Sequence, residues 1–137
     1  MRKIFLRMGS LLAMLAVILG AFGAHGLEGA ISTERLDTFE VGVRYHFYHA
    51  VGILVVDALI HFRKTPFLVL AGWLFTIGIV LFSGSLYLLA IRDWFSFSIG
   101  WLGPITPVGG MFFIAGWGLL FLSSFYKPSS KSSTSVA

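Results

Sequence analysis

The chain has 137 residues, of which 57% are hydrophobic and 12% charged, with a formal net charge of +4 and a mean hydropathy of +0.89. A soluble domain carries about 25% charged residues, and one this small buries too little surface to hide so many Leu, Ile and Phe side chains, so a water-soluble fold is excluded. The lack of Cys removes disulfides, thiolate metal sites and Cys nucleophiles, and basic residues placed at the edges of apolar runs, not along a groove, argue against a nucleic-acid partner.

The first expected span covers about 4–24, and its stretch from Met8 to Ala24 carries no charge. MRKIFLR followed by an apolar run also resembles a secretory signal peptide, but the run is longer than the usual h-region of about 7–15 residues. The next residues, 25–43, are too many for a turn and are patterned. Ser32 or Thr33 can cap a helix, with Glu34 and Asp37 in its first turn complementing the helix dipole. Leu36, Phe39 and Val43 recur at helical spacing, and Glu40 can pair with Arg44 four residues on. The segment reads as an amphipathic helix at the membrane surface, leading with or without a bend into the second span.

The second span is expected over about 44–62 and the third over about 67–91, joined by the tight turn Arg63-Lys64-Thr65-Pro66, where Pro66 can open a helix. Gly100–Gly110 holds two prolines and four glycines, which disfavours regular helix. It reads as a loop or as a short re-entrant stretch, ahead of a fourth span over about 104–125. Each span approaches the 20 or so residues that cross a bilayer, and each must be helical to satisfy its backbone in lipid. Small residues line the spans, including Gly109, Gly116 and Ser123 at sevens, and imply close helix contacts with little room for a wide aqueous pore.

Charge orients the bundle. Arg2, Lys3, Arg7, Arg63, Lys64, Lys127 and Lys131 fall on one side, and Arg35, Arg44 and Arg92 on the other with five of the six acids. The positive-inside rule then places both termini in the cytoplasm. The expected fold is all-α: a polytopic membrane protein, a compact four-transmembrane-helix bundle with an amphipathic interfacial helix between spans one and two. It forms a single domain over 1–126, followed by a disordered cytoplasmic tail over 127–137.

The unusual polar content lies in span two. At about 100° per residue, His46, His49, Ile53 and Asp57 share an arc of about 80°. Asp57 should face the bundle, paired with a snorkelling Arg63 or Lys64. Three readings of this face stay open. His46 and His49 could hydrogen-bond across helices to Thr106 or Ser85; the face could line a proton or polar-solute path; or His25, His46 and His49 could ligate a metal or haem. The last is weakly supported, since no HExxH or Cys set accompanies the histidines. His61, beside Arg63 and Lys64, reads as part of the basic edge. No GxSxG, P-loop or dinucleotide fingerprint occurs, and no cofactor is required.

Four stretches carry a family resemblance: GAFGAHGL at Gly20–Leu27, YHFYHAVG at Tyr45–Gly52, LFSGSLYLLA at Leu81–Ala90 and ITPVGGMFFIAGW at Ile105–Trp117. Together they resemble the small four-span membrane family known as domain of unknown function 423, which includes the transmembrane protein 256 group. The resemblance implies a multi-pass protein of a bacterial inner or plasma membrane, and no substrate or reaction. Its recurrent positions include Gly20, Gly23, His25, Tyr45, His49, Ser83, Gly84, Ser85, Tyr87, Thr106, Pro107, Gly109, Gly110, Gly116 and Trp117. The leading expectation is a protein that binds or conducts a small solute, ion or proton through its outer half. The candidate residues are His25, Tyr45, His46, His49, Asp57, Ser83, Ser85, Tyr87, Thr106, Gly109 and Gly110. The rival is a structural partner, as a homo-oligomer or within a larger membrane complex, in contact with membrane lipids. An enzyme comes third.

Overall fold

The computed structural model describes residues 3–127. Helix α1 (Ile4–Phe22) continues through a π-helical turn (Gly23–Leu27), and α2 spans Thr33–Phe62. Helix α3 (Pro66–Gly78) runs through a second π turn (Ile79–Ser83) into α4 (Gly84–Ala90). Two short 3-10 turns, Arg92–Trp94 and Gly100–Leu102, lead to α5 (Ile105–Ser123). The four resulting helical runs, of 24, 30, 25 and 24 residues, are each long and apolar enough to cross a membrane. The segment expected to be disordered falls, from residue 128 on, outside the described residues.

Short-range chemistry sets the helix starts. The Ser32 hydroxyl accepts the Arg35 N–H at 3.4 Å and the Thr65 hydroxyl accepts the Leu68 N–H at 3.3 Å, each satisfying an amide that the first turn leaves free. Pro66 occupies the opening turn of α3, where its missing N–H is not needed. Gly29, at φ 77°, makes the left-handed bend between α1 and α2.

Two expectations are corrected here. No separate interfacial helix lies between spans one and two: residues 33–43 are the first turns of one unbroken α2. The apolar stripe is present, but Leu36, Phe39 and Val43 pack on Leu27, Ala90 and Tyr87 from the ends of α1 and α4 instead of lying on lipid. At about 1.5 Å per residue α2 is about 45 Å long, so part of it projects beyond the hydrocarbon or tilts within it. Residues 105–110 are likewise neither loop nor re-entrant but the first turns of α5. Pro104 caps that helix and Pro107 falls in its first turn, so neither proline removes a needed hydrogen bond.

The helices run alternately up and down. Helix α1 packs on α2, α2 on both α3 and α4, and α3 on α5, while α1 and α5 share no packed interface. Phe75 of α3 is the hub. It is fully buried, and a Cβ added at Gly52 of α2 or Gly116 of α5 would lie 3.2 Å and 2.6 Å from its ring. The Gly116 seam is therefore an internal contact between α3 and α5. Such close approach supplies the packing that lipid cannot drive.

One end of the bundle gathers residues 3, 63–66 and 127. There Asp57 does not pair with Arg63 or Lys64, as the sequence suggested. Its Oδ1 accepts the Leu6 N–H at 3.2 Å, and Leu6 lies in the first turn of α1, where no intrahelical acceptor exists. The carboxylate thus caps a neighbouring helix and meets the positive end of its dipole. Asp57→Ala should cost about 1 kcal/mol, the usual loss for an N-cap, and a thermal shift with Asn intermediate between Asp and Ala would verify it. Arg63 turns to the opposite kind of terminus, donating to the carbonyls of Ser124 (3.4 Å) and Tyr126 (2.9 Å) beyond α5.

At the other end Arg35 of α2 pairs with Asp93 of the first 3-10 turn. The guanidinium hydrogen bond holds the Asp93 carboxyl below its ordinary value. A depressed folded-state value means that this contribution is present above the unfolded pKa, near 4, and is lost as pH falls through the folded one. The protection factors of residues 92–95, exchange rates corrected for their intrinsic pH dependence, should accordingly fall under acid, and Arg35→Gln should remove that loss of protection.

Candidate functional site

His49 sits at the middle of an aromatic layer contributed by three helices. Its ring stacks on Phe113 of α5, with centroids 3.4 Å apart and planes 7° from parallel. Phe75 and Trp117 pack at its edges, with centroids 5.4 and 6.0 Å away. Tyr45, one turn earlier on α2, packs against Phe82 at 4.8 Å.

The histidine's two nitrogens are both used. Nδ1 lies 2.7 Å from the Tyr45 carbonyl, and because a carbonyl only accepts, Nδ1 carries the hydrogen. Nε2 lies 3.1 Å from the Trp117 indole N–H, which only donates, so Nε2 is the acceptor. Both bonds select the same neutral tautomer. A ring held this way has no lone pair left for a metal and no free site for a relayed proton.

The other polar candidates are also paired within the bundle, though not as the sequence suggested. Ser85 and Thr106 hydrogen-bond each other at 2.6 Å, joining α4 to α5, and leave neither histidine a partner there. His46 Nδ1 meets the Tyr87 hydroxyl at 2.9 Å, joining α2 to α4. Among the described residues two buried side-chain atoms lack a partner, His46 Nε2 and Ser83 Oγ. Gly42 abuts Tyr87 and Gly52 abuts Phe75, and this antiparallel register puts His46 and Ser83 at one level. Gly109 is buried against the Phe82 backbone. His25 is exposed on the π turn ending α1. Among the described residues no three His, Cys, Asp or Glu side chains converge, so His25, His46 and His49 do not form a ligand set.

What the aromatic layer does leave open is a groove. Between the outward faces of α2 and α5 lies a space of about 770 Å³ whose lining includes Tyr45, Tyr48, His49, Gly110, Phe113 and Trp117. Ligand sites commonly fall in the range of about 300–1,000 Å³. Tyr45 and Tyr48, which belong to its lining, are 39% and 54% exposed. Sequence reasoning found Tyr45, His49 and Gly110, named Trp117 only as a recurrent family position and missed Phe113. The available signal was the spacing of Gly110, Phe113 and Trp117, which share one face of α5 at intervals of three and four.

The family described as "Protein of unknown function (DUF423)" matches residues 19–110. The chain is similar to the UPF0382 membrane protein YwdK of Bacillus subtilis, 46% identical over 123 residues that cover 89% of this chain and 96% of the relative. It is also similar to the UPF0382 membrane protein SH2409 of Staphylococcus haemolyticus, 44% identical over 123 residues, covering 90% and 96%. A third relative, SERP0230 of Staphylococcus epidermidis, is 45% identical over 122 residues, covering 89% and 95%. No solved structure matches.

Proposed function

The chain belongs to the DUF423 family of bacterial membrane proteins, and from that premise we propose that it binds a membrane-resident small molecule in the groove between α2 and α5. The ligand class is flat and largely apolar, with one hydrogen-bonding group for the tyrosine hydroxyls. The observation that carries this reading is the groove itself: about 770 Å³, lined largely by aromatic rings and open along the outward faces of α2 and α5. Aromatic walls offer large, rigid contact area with a polar handle at the rim. Conduction through the subunit draws less support, because Ser85, Thr106, His49 and Tyr87 are each held in an internal hydrogen bond. The charge asymmetry supports an orientation with both termini in the cytoplasm.

Gly110 supplies the test. A Cβ there meets only the Phe82 ring, at 3.7 and 3.8 Å, an ordinary contact, so Gly110→Leu should fill the groove and leave the bundle intact. Native mass spectrometry of protein released from membrane nanodiscs should find a non-phospholipid molecule on the wild type and none on Gly110→Leu, at matched thermal stability. A wild type carrying phospholipid alone, or equal retention by the variant, would defeat the reading.

The rival role, as a partner within a larger membrane complex, draws on Gly118. A Cβ at that exposed position of α5 meets nothing within 4 Å, so a small-residue contact there serves no packing inside this chain. Gly118→Leu with an unchanged partner profile on co-purification would count against it.

A further inference from the structure

We infer a second binding site, at the opposite end of the bundle: a crevice between the start of α1, the end of α2 and the start of α3 that holds the headgroup of an anionic phospholipid. The space is about 440 Å³. Phe5, Ile60, Val69 and Trp73 form apolar walls, while Asp57, His61 and Lys64 are the polar members of the lining. From Pro66 to Trp73 the wall runs about 10 Å along α3, the depth of a headgroup and the first part of an acyl chain.

The polar atoms decide what fits. Asp57 is already engaged, with Oδ1 on the Leu6 N–H and Oδ2 3.8 Å from His61 Nδ1. His61 Nδ1 lies 2.7 Å from the Asp57 carbonyl, so it is the donor and its hydrogen is spent there. Arg63 is turned away to the carbonyls beyond α5. Lys64 is exposed and makes no ion pair among the described residues. The crevice therefore offers one uncommitted ammonium, that of Lys64, above an apolar floor. Lys3 and Arg7, both exposed on the first turns of α1, add positive potential at the same end. That combination suits a phosphate carried on a hydrocarbon chain, and a basic side chain near an anionic leaflet contributes about fivefold to such binding.

The test uses the whole protein in nanodiscs containing phosphatidylglycerol and phosphatidylcholine. Native mass spectrometry should show phosphatidylglycerol retained in preference. Lys64→Gln, an exposed change that leaves the fold alone, should reduce that preference about fivefold, and Lys127→Gln, a basic residue of the same end outside the crevice, should not. Val69→Trp, which fills the crevice with Lys64 intact, should abolish it. An unaltered preference in Lys64→Gln, an equal loss in Lys127→Gln, or displacement of the lipid by millimolar inorganic phosphate would each overturn the assignment. Gly110→Leu should leave the preference unchanged, which separates this site from the α2–α5 groove.

Discussion

Gly109→Ala is expected to be the most damaging single-carbon change in the protein. A Cβ at this position of α5 would lie 2.8 Å from the Phe82 Cα and closer still to the Phe82 amide nitrogen. The obstacle is backbone, and no rotamer change removes it. The α3–α5 contact would have to open along the seam, because Gly116, two turns on along the same face, is also packed closely, against the Phe75 ring. Overpacking of this kind costs about 3 kcal/mol, and in lipid no hydrophobic force compensates for lost helix contact. Thermal unfolding in detergent should show a large drop for Gly109→Ala and almost none for Gly118→Ala, where the added carbon meets nothing within 4 Å. Equal behaviour of the two variants would show that this approach is not what holds α5 in place.

The second large effect concerns His49 and Trp117, and its signature is non-additivity. His49→Phe keeps the ring on Phe113 but leaves the Trp117 N–H without its acceptor. Trp117→Phe leaves the His49 Nε2 without its donor. Each single change should cost about 1–3 kcal/mol, the desolvation penalty of an unmatched polar group. Replacing both together removes the two polar groups at once, and the double variant should be close to wild type in stability. Melting temperatures of the four proteins measure this directly. Losses that simply add would mean that the 3.1 Å bond contributes little, and that the histidine is retained for some other reason. His49→Ala is the poorer probe, since it also removes the stacked ring and leaves a cavity.

Much of the architecture was legible in the chain itself. Apolar runs near 20 residues long, broken by Arg63-Lys64-Thr65-Pro66 and by the stretch after Ile91, are sufficient to specify four helical crossings, because lipid admits no other backbone for a lone span. Ser32 as a cap and Pro66 as a helix start follow from which amides a first turn leaves free. The family resemblance is also borne out: the family match over residues 19–110 takes in GAFGAHGL, YHFYHAVG, LFSGSLYLLA and the start of ITPVGGMFFIAGW, and relatives 44% and 46% identical cover 90% and 89% of the chain.

Local pattern misled where a distant helix supplied the deciding partner. Pro104 and Pro107 look like breakers until α5 is seen to begin between them. The stripe of Leu36, Phe39 and Val43 looks like a membrane-surface helix until the ends of α1 and α4 are seen to cover it. Asp57 looks like a functional charge in lipid, and its explanation lies 51 residues away in the Leu6 amide.

The sequence by itself determined that this is a four-crossing helical membrane protein with seven of its ten basic residues on one side, because burial in lipid and helix geometry act over a few residues at a time. Only the tertiary structure decided which polar groups are spent on each other and which spaces stay open. Hydrogen-bond partners and groove walls are chosen by helix register across the bundle. A one-residue slip of α5 on α3 would separate His49 from Trp117 without altering a single local preference.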